Sequence, residues 1–442
     1  MKSACDYQIF QQTAQGRALV PFYGVIPAEH SGKVIWARAL REDDTLDVTG
    51  WRRCAVEGDK WRIDFDLPAG GLYWLEARAQ EEGGAVEWGI RIARVSHIGV
   101  GELFMLAGQS NMAGYARDAA FDPPELGVHL YGNNGKWSVA AHPLNDSVDT
   151  IYPENAEYAS NTSPALSFAR MIKHRLGVPV GIVQASMGGS PLSRWQPEED
   201  GDLYRAMLRR LDAVGSVGTM LWYQGCTDAN DASSAPTYYE RFRRAVEIWR
   251  RDMGDIRIVT VQLNRSNQPL PDEARDRRWG MVREAQRRAA REIPNLIVVP
   301  ASDLSCTDWI HNSSGSNVIL GERMAHAALK AFYGQAGMSA PDIVRAVRVD
   351  DTHVRMEFEP GRIMRGPDNQ DSGIDVEDAR GLHRCTKSET CENGLIMTVG
   401  EPFELPAQLH AYWRVEMPAF ITRDLSGMPM LSCYGVKVEA EG

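Results

Sequence analysis

Five short apolar runs alternate with five helical stretches through the middle of this chain, and that rhythm leaves few folds open. The runs span 103–107, 180–184, 219–223, 256–263 and 295–299. Stretches with apolar residues at helical spacing lie near 164–176, 203–214, 238–253, 277–292 and 317–333. Short runs of continuous apolar residues suit strands buried on both faces. Alternation with helices then predicts a parallel sheet with helices on both sides, a three-layer α/β/α domain.

The flanks read differently. Residues 33–40, 61–67 and 72–78 are expected strands; the second alternates strictly, with Trp61, Ile63, Phe65 and Leu67 on one face. Pro68-Ala-Gly-Gly71 separates the last two as a turn. A small sandwich follows, with Trp36, Trp51 and Trp74 assigned to core packing rather than to sugar binding. After 338 the β pattern returns: 343–349 and 353–358 flank a hairpin turn at 350–352, and 409–415 and 431–438 continue it. The expected division is an N-terminal β-sandwich-like domain over 1–98, a catalytic domain over 99–338 and a C-terminal β domain, also sandwich-like, over 339–442. Residues 123–161 show little periodicity; an ordered loop near the site and a surface excursion are both open.

Charge and cysteine usage narrow the function classes. A net charge of −11 without a long basic run argues against nucleic acid as a partner. No apolar segment approaches the ~18 residues of a membrane span. The first ten residues contain no apolar core of a secretory signal, so a cytoplasmic location is expected, or a secreted one if a leader has been removed. Seven scattered cysteines suit reduced thiols better than a disulfide framework, although Cys385 and Cys391 are near enough in sequence to pair. No Cys/His set completes a zinc site, so no metal is implied.

Four polar strings stand at strand ends in this frame. Gly108-Gln-Ser-Asn-Met112 follows the first run, placing Ser110 just past the carboxyl edge of a parallel strand, where open α/β sheets bind ligands. Ser186-Met-Gly-Gly-Ser190 follows the second run and Leu221-Trp-Tyr-Gln-Gly225 forms the end of the third. Their glycine N–H groups and the Gln224 amide are the kind of donor an oxyanion needs. Asp308 precedes His311 by three residues, close enough in one turn for the carboxylate to hold the imidazole tautomer. Asp303 is the alternative acid, eight residues away.

With these blocks in hand, the chain resembles the sialate O-acetylesterase-like branch of the SGNH (GDSL-type) hydrolases. The matching strings are Gly108-Gln-Ser-Asn-Met112, Gly188-Gly-Ser-Pro-Leu-Ser-Arg-Trp195, Trp222-Tyr-Gln-Gly-Cys226 and Asp308-Trp-Ile-His311. The resemblance implies a flavodoxin-like SGNH central domain and a serine O-acetylesterase that needs no cofactor. Its substrate would be an O-acetylated carbohydrate, with sialic acid leading and acetylated xylan next. Ser110 is the expected nucleophile, His311 the base and Asp308 its orienting acid. The oxyanion would be held by N–H groups of Ser110 and of Gly188 or Gly189, with the Gln224 amide.

Gln109 and Asn111, beside the serine, and Trp195, Trp222, Tyr223 and Trp309, beside the motifs, are candidate substrate contacts. Arg194 has the planar fork that would suit a sugar carboxylate. Two departures stand out: Cys226 replaces the family's Glu, and Asn312 replaces the Pro after its His. Cys226 is itself a conceivable nucleophile, though a buried structural thiol is the commoner case. Rival readings are a lipase-like or thioesterase-like hydrolase and a carbohydrate-binding protein on the same scaffold without turnover.

Overall fold

The apolar run at 103–107 is the second half of a 19-residue strand, β1 (Ile90–Gly108). The structure, a computed structural model, describes residues 2–157, 161–267, 271–368 and 372–441. In chain order the other central strands are β2 (Val128–Tyr131), β3 (Trp137–Val139), β4 (Val180–Gln184), β5 (Thr219–Tyr223), β6 (Arg257–Val261) and β7 (Leu296–Val299). They stand in the order β3-β2-β4-β1-β5-β6-β7, and only β3 runs antiparallel to its neighbour. The five strands expected from sequence are therefore arranged second, first, third, fourth, fifth. Winding reverses beside β1, and the crevice at that switch point is where doubly wound sheets bind ligands.

The helices are α1 (Ser110–Ala113), α2 (Pro164–Leu176), α3 (Asp202–Val214), α4 (Cys226–Asn230), α5 (Tyr238–Met253), α6 (Glu273–Glu292) and α7 (Ser314–Tyr333). Register shows how they cover the sheet. Phe104 of β1 meets Phe168 of α2 edge-on at 4.8 Å. Trp222 pairs in register with Ala107, three residues beyond Phe104, so it points to the opposite face. There it packs on Trp249 and Phe242 of α5. Both faces are thus buried, which is why the strands read as unbroken apolar runs.

The expected loop at 123–161 contributes the β2–β3 hairpin at the sheet edge, with Trp137 paired to Tyr131. Strands this short, on an edge, leave little periodicity to read. Residues 158–160 of that segment lie outside the described residues.

In the N-terminal part, a three-stranded sheet of Arg17–Val25, Ala55–Glu57 and Lys60–Pro68 shares a core with a second sheet. The second sheet holds Val34–Arg41, Gly70–Gln80 and the first half of β1. Trp61, Phe65 and Leu67 are buried between them. Position 98/99 falls inside β1, which runs unbroken from this sheet into the central one. The three tryptophans assigned to this core are instead half-buried. Arg38 and Arg78 lie over Trp51 at 4.4 and 5.1 Å, and Arg94 over Trp74 at 4.2 Å, where cations favour the ring face.

The C-terminal part corrects the sandwich-like expectation. Seven strands close into a barrel, because Arg345–Arg348 pairs in parallel with Cys433–Ala440 and joins the two ends. Closure removes the free edges that an open pair of sheets would leave. The barrel is tied to the central domain through Arg283 of α6, which is fully buried. Its Nη1 donates to the carbonyls of Tyr412, Trp413 and Arg414 at 3.1, 3.0 and 2.7 Å, and its Nε to Leu263 at 3.0 Å.

Arg283→Met strands those carbonyls without a donor. The cost is expected to be about 3 kcal/mol, since bonds to charged groups are worth roughly 1.5–3 kcal/mol each. A thermal melt should show Tm lower by roughly 3 °C for a chain of 442 residues. An unchanged Tm would mean that other contacts hold the barrel. Among the described residues, no helix is long and apolar enough to cross a membrane.

Candidate active site

β1 can end where it does only because residue 108 has no side chain. Gly108 sits at φ +122°, and a Cβ there would lie 2.3 Å from the Tyr223 carbonyl on β5. The chain turns at once into the four-residue α1, closed by left-handed Gly114. Ser110 opens α1, where backbone N–H groups have no partner within the helix.

The residues on either side of Ser110 tie it to two distant loops. The Gln109 side-chain Oε1 accepts from the N–H groups of Gly225 and Cys226 at 2.8 and 2.9 Å, and its Nε2 donates to Thr227 Oγ1. Asn111 donates to the Ile310 carbonyl at 3.1 Å and accepts from the Asn312 N–H at 2.9 Å. Both were candidate substrate contacts. Gln109 does border the pocket, but its amide is spent on the 225–227 turn, and Asn111 is buried. The Asn312 N–H is a donor that the proline expected there could not supply.

These ties bring positions 110 and 311 together. His311 Nε2 stands 2.9 Å from Ser110 Oγ, and its Nδ1 is 2.8 Å from Asp308 Oδ2. Asp308 Oδ1 accepts the N–H groups of Ile310 and His311 at 2.9 and 2.7 Å, and Arg117 Nε lies 3.1 Å from Oδ2. Burial raises the Asp308 carboxyl, but the two backbone N–H groups and the imidazole outweigh it and hold it below the usual carboxylate range. Asp303, the alternative acid, is gripped by both ends of the Arg323 guanidinium at 2.9 and 3.0 Å. Tyr115 stacks on His311 with centroids 5.3 Å apart.

The expected oxyanion donors divide. Ser110, Gly188 and Gly189 line the pocket. Gln224 does not: it is fully buried, its amide donating to Asp228 Oδ2 at 2.6 Å and the Ser190 carbonyl at 3.1 Å. Its oxygen accepts from Tyr238 at 2.8 Å. Two residues past Trp222, it follows the same face toward α5 and away from Ser110. The Gly188 N–H points at Glu157, 2.7 and 2.8 Å from the two carboxylate oxygens.

The pocket also takes in Thr227 and Asn230 of α4. The Asn230 oxygen accepts from Trp279 Nε1 at 3.1 Å, a group that can only donate, which leaves the amide N–H groups of Asn230 as further hydrogen-bonding capacity. Sequence reading missed Asn230, Thr227, Tyr115 and Glu157. Asn230 stands five residues past Gly225, at the end of a single helical turn with no apolar signature.

Most of the proposed sugar contacts belong to the interior. Trp195, Trp222 and Tyr223 are buried, and Trp195 donates to Ser190 Oγ at 3.0 Å. Arg194 is clamped by Asp202, Nε to Oδ1 at 3.0 Å and Nη2 to Oδ2 at 2.6 Å, and is not on the pocket wall. Trp309 alone of that set is exposed, at 45%, and borders the pocket. Cys226 lines the wall, but burial pushes its thiol up to about 12, so it stays protonated and is a poor nucleophile.

The chain is similar to known proteins in sequence and in fold. Residues 100–330 match the family described as carbohydrate esterase, sialic acid-specific acetylesterase. A probable carbohydrate esterase of Arabidopsis thaliana is 26% identical over 277 residues, which cover 57% of this chain and 99% of that protein. A carbohydrate acetylesterase from Xanthomonas citri superposes with a TM-score of 0.67 at 22% identity, over 97% of each chain. That likeness extends the shared fold to both β-rich flanks.

Proposed function

The chain belongs to the sialic acid-specific acetylesterase family of carbohydrate esterases, and from that premise we propose that it removes O-acetyl groups from a sugar through an acetyl-serine intermediate. The supporting observation is the Ser110–His311–Asp308 line, two contacts of 2.9 and 2.8 Å at the carboxyl edge of β1. Ser110 Oγ attacks the acetyl carbonyl while His311 Nε2 takes its proton. The imidazolium, stabilised by Asp308, then returns that proton to the departing sugar hydroxyl. Water, deprotonated by His311, attacks the acetyl-serine and releases acetate. The N–H groups of Ser110 and Gly189 and the Asn230 amide are the donors we assign to the oxyanion, with Gly188 once its N–H is free.

The sugar would stack on Trp309, the exposed indole at the pocket rim. A sialic acid substrate was expected to meet Arg194, but Asp202 holds that guanidinium. No Lys or Arg is among the described residues lining the pocket. We therefore rank a neutral acetylated saccharide above sialic acid.

The test is acetate release from acetylated xylo-oligosaccharides and O-acetylated sialic acids, beside p-nitrophenyl esters of two, four and eight carbons. The expected order is acetyl above octanoyl by at least tenfold, as removal of O-acetyl groups requires. Preference for octanoate would point to a lipase-like enzyme. Sugar binding without release of acetate would point to a carbohydrate-binding protein.

A further inference from the structure

A carboxylate that the reaction above does not use stands in the wall of the same pocket. Glu157 comes from the segment before α2 and borders the space between Ser110, Tyr115 and Gly188. It receives the Gly188 N–H on both oxygens at 2.7 and 2.8 Å, the Tyr115 hydroxyl at 2.9 Å and the Asn145 amide at 2.7 Å. A Cβ at residue 188 would lie 2.6 Å from Glu157 Oε2 and 3.1 Å from the Tyr115 oxygen, so glycine makes the room the carboxylate fills. The acceptor seated on the Gly188 N–H is thus supplied by the protein itself.

That placement conflicts with ester hydrolysis if Glu157 is charged. The tetrahedral intermediate carries a full negative charge that needs donors, and a carboxylate offers only acceptors and a second negative charge. A protonated carboxyl at the same place reverses the effect: it presents an O–H, as apolar surroundings allow for some catalytic carboxylic acids.

Resting on the esterase reading of this site, we propose that Glu157 is a catalytic residue that works in its neutral form, donating its O–H to the oxyanion while the charged form blocks Gly188. The groups facing it supply little positive charge. Arg194, whose charge acts on it, is committed to Asp202. Glu154 on its own segment pairs with Arg209. Tyr115 and Cys226 are neutral across the pocket, and beyond Tyr115 lies His311 with the Asp308–Arg117 pair. Burial pushes the Glu157 carboxyl up, against the opposing hydrogen bonds from Gly188, Tyr115 and Asn145. Activity should therefore be present below that raised value and lost as pH climbs through it.

The pH dependence of kcat/KM on p-nitrophenyl acetate tests this in wild type, Glu157→Gln, Glu157→Ala and Tyr115→Phe. Wild type should lose at least tenfold on the alkaline limb. Glu157→Gln, neutral at every pH and still a donor, should show no such limb and exceed wild type at least threefold at pH 8.5. Glu157→Ala should also lack the limb, with kcat about tenfold below Glu157→Gln because the donor is gone. Tyr115→Phe removes one bond to the charged form and should move the limb to higher pH. A wild-type profile without an alkaline limb overturns the proposal, as does a Glu157→Gln profile parallel to wild type. If Glu157→Gln melts too early to assay, an unmoved limb in Tyr115→Phe overturns it. Failure of the esterase reading is separable, because then Ser110→Ala would match wild type whatever residue 157 does.

Discussion

Ser110→Ala is expected to lower kcat for acetate release by about 10⁴ to 10⁶, with Tm within about 1 °C of wild type. The size follows from what the hydroxyl does: without it no acetyl-enzyme forms, and only donors and binding remain to help a direct attack by water. The unchanged Tm follows from its surroundings. Ser110 is partly exposed, and among the described residues its side chain hydrogen-bonds to His311. α1 is positioned by the flanking Gln109 and Asn111 side chains, which the substitution leaves in place. Steady-state kinetics beside a thermal melt reads both halves. Near-wild-type turnover with an intact fold would remove Ser110 from the chemistry and leave the pocket without a nucleophile, since the neighbouring Cys226 thiol is held protonated.

What sequence made legible was what short strings encode. A glycine that stops a strand, a serine after it, and an Asp three residues before a His are local patterns. The parallel sheet carries each to the same edge, so the pairing of 110 with 311 needed only the strand order to be of the doubly wound kind. Directions of side chains were not local. Gln224 sits in the same string as Trp222, but its oxygen meets Tyr238 of α5, the helix on which Trp222 packs. Trp195 and Trp222 lie beside motifs in sequence and under them in space, packed edge-on at 5.4 Å in the interior. Arg194 looked free until α3 supplied Asp202, eight residues on.

The barrel and Glu157 show the same limit at longer range. Closure depends on a parallel pairing between residues near 346 and 438, which neither strand announces. Glu157 follows a stretch without periodicity and reaches the pocket because Asn145 and Tyr115 hold it there. The effect proposed for it is electrostatic, and charge at a site is a property of the assembled walls.

The sharpest test of the His311 geometry is Asp308→Asn, expected to lower kcat by about 10⁴ while leaving the loop in place. The Asn oxygen can still accept the N–H groups of Ile310 and His311, so the backbone turn survives. Its NH₂ group, however, replaces the carboxylate oxygen that faces His311 Nδ1 at 2.8 Å. An N–H there donates to Nδ1 and drives the imidazole proton to Nε2. The nitrogen facing Ser110 then offers a proton where the attack needs an acceptor, and the imidazolium loses the charge that stabilises it. Arg117 also loses its partner, which adds a positive charge beside a ring that must become positive. The loss should appear in kcat with KM little changed, since Asp308 does not line the pocket. Because the wild-type carboxylate is held below its usual range, it should stay ionised as pH falls toward that range, and its contribution fades only below it. A variant losing less than tenfold would show that a group other than Asp308 sets the tautomer of His311.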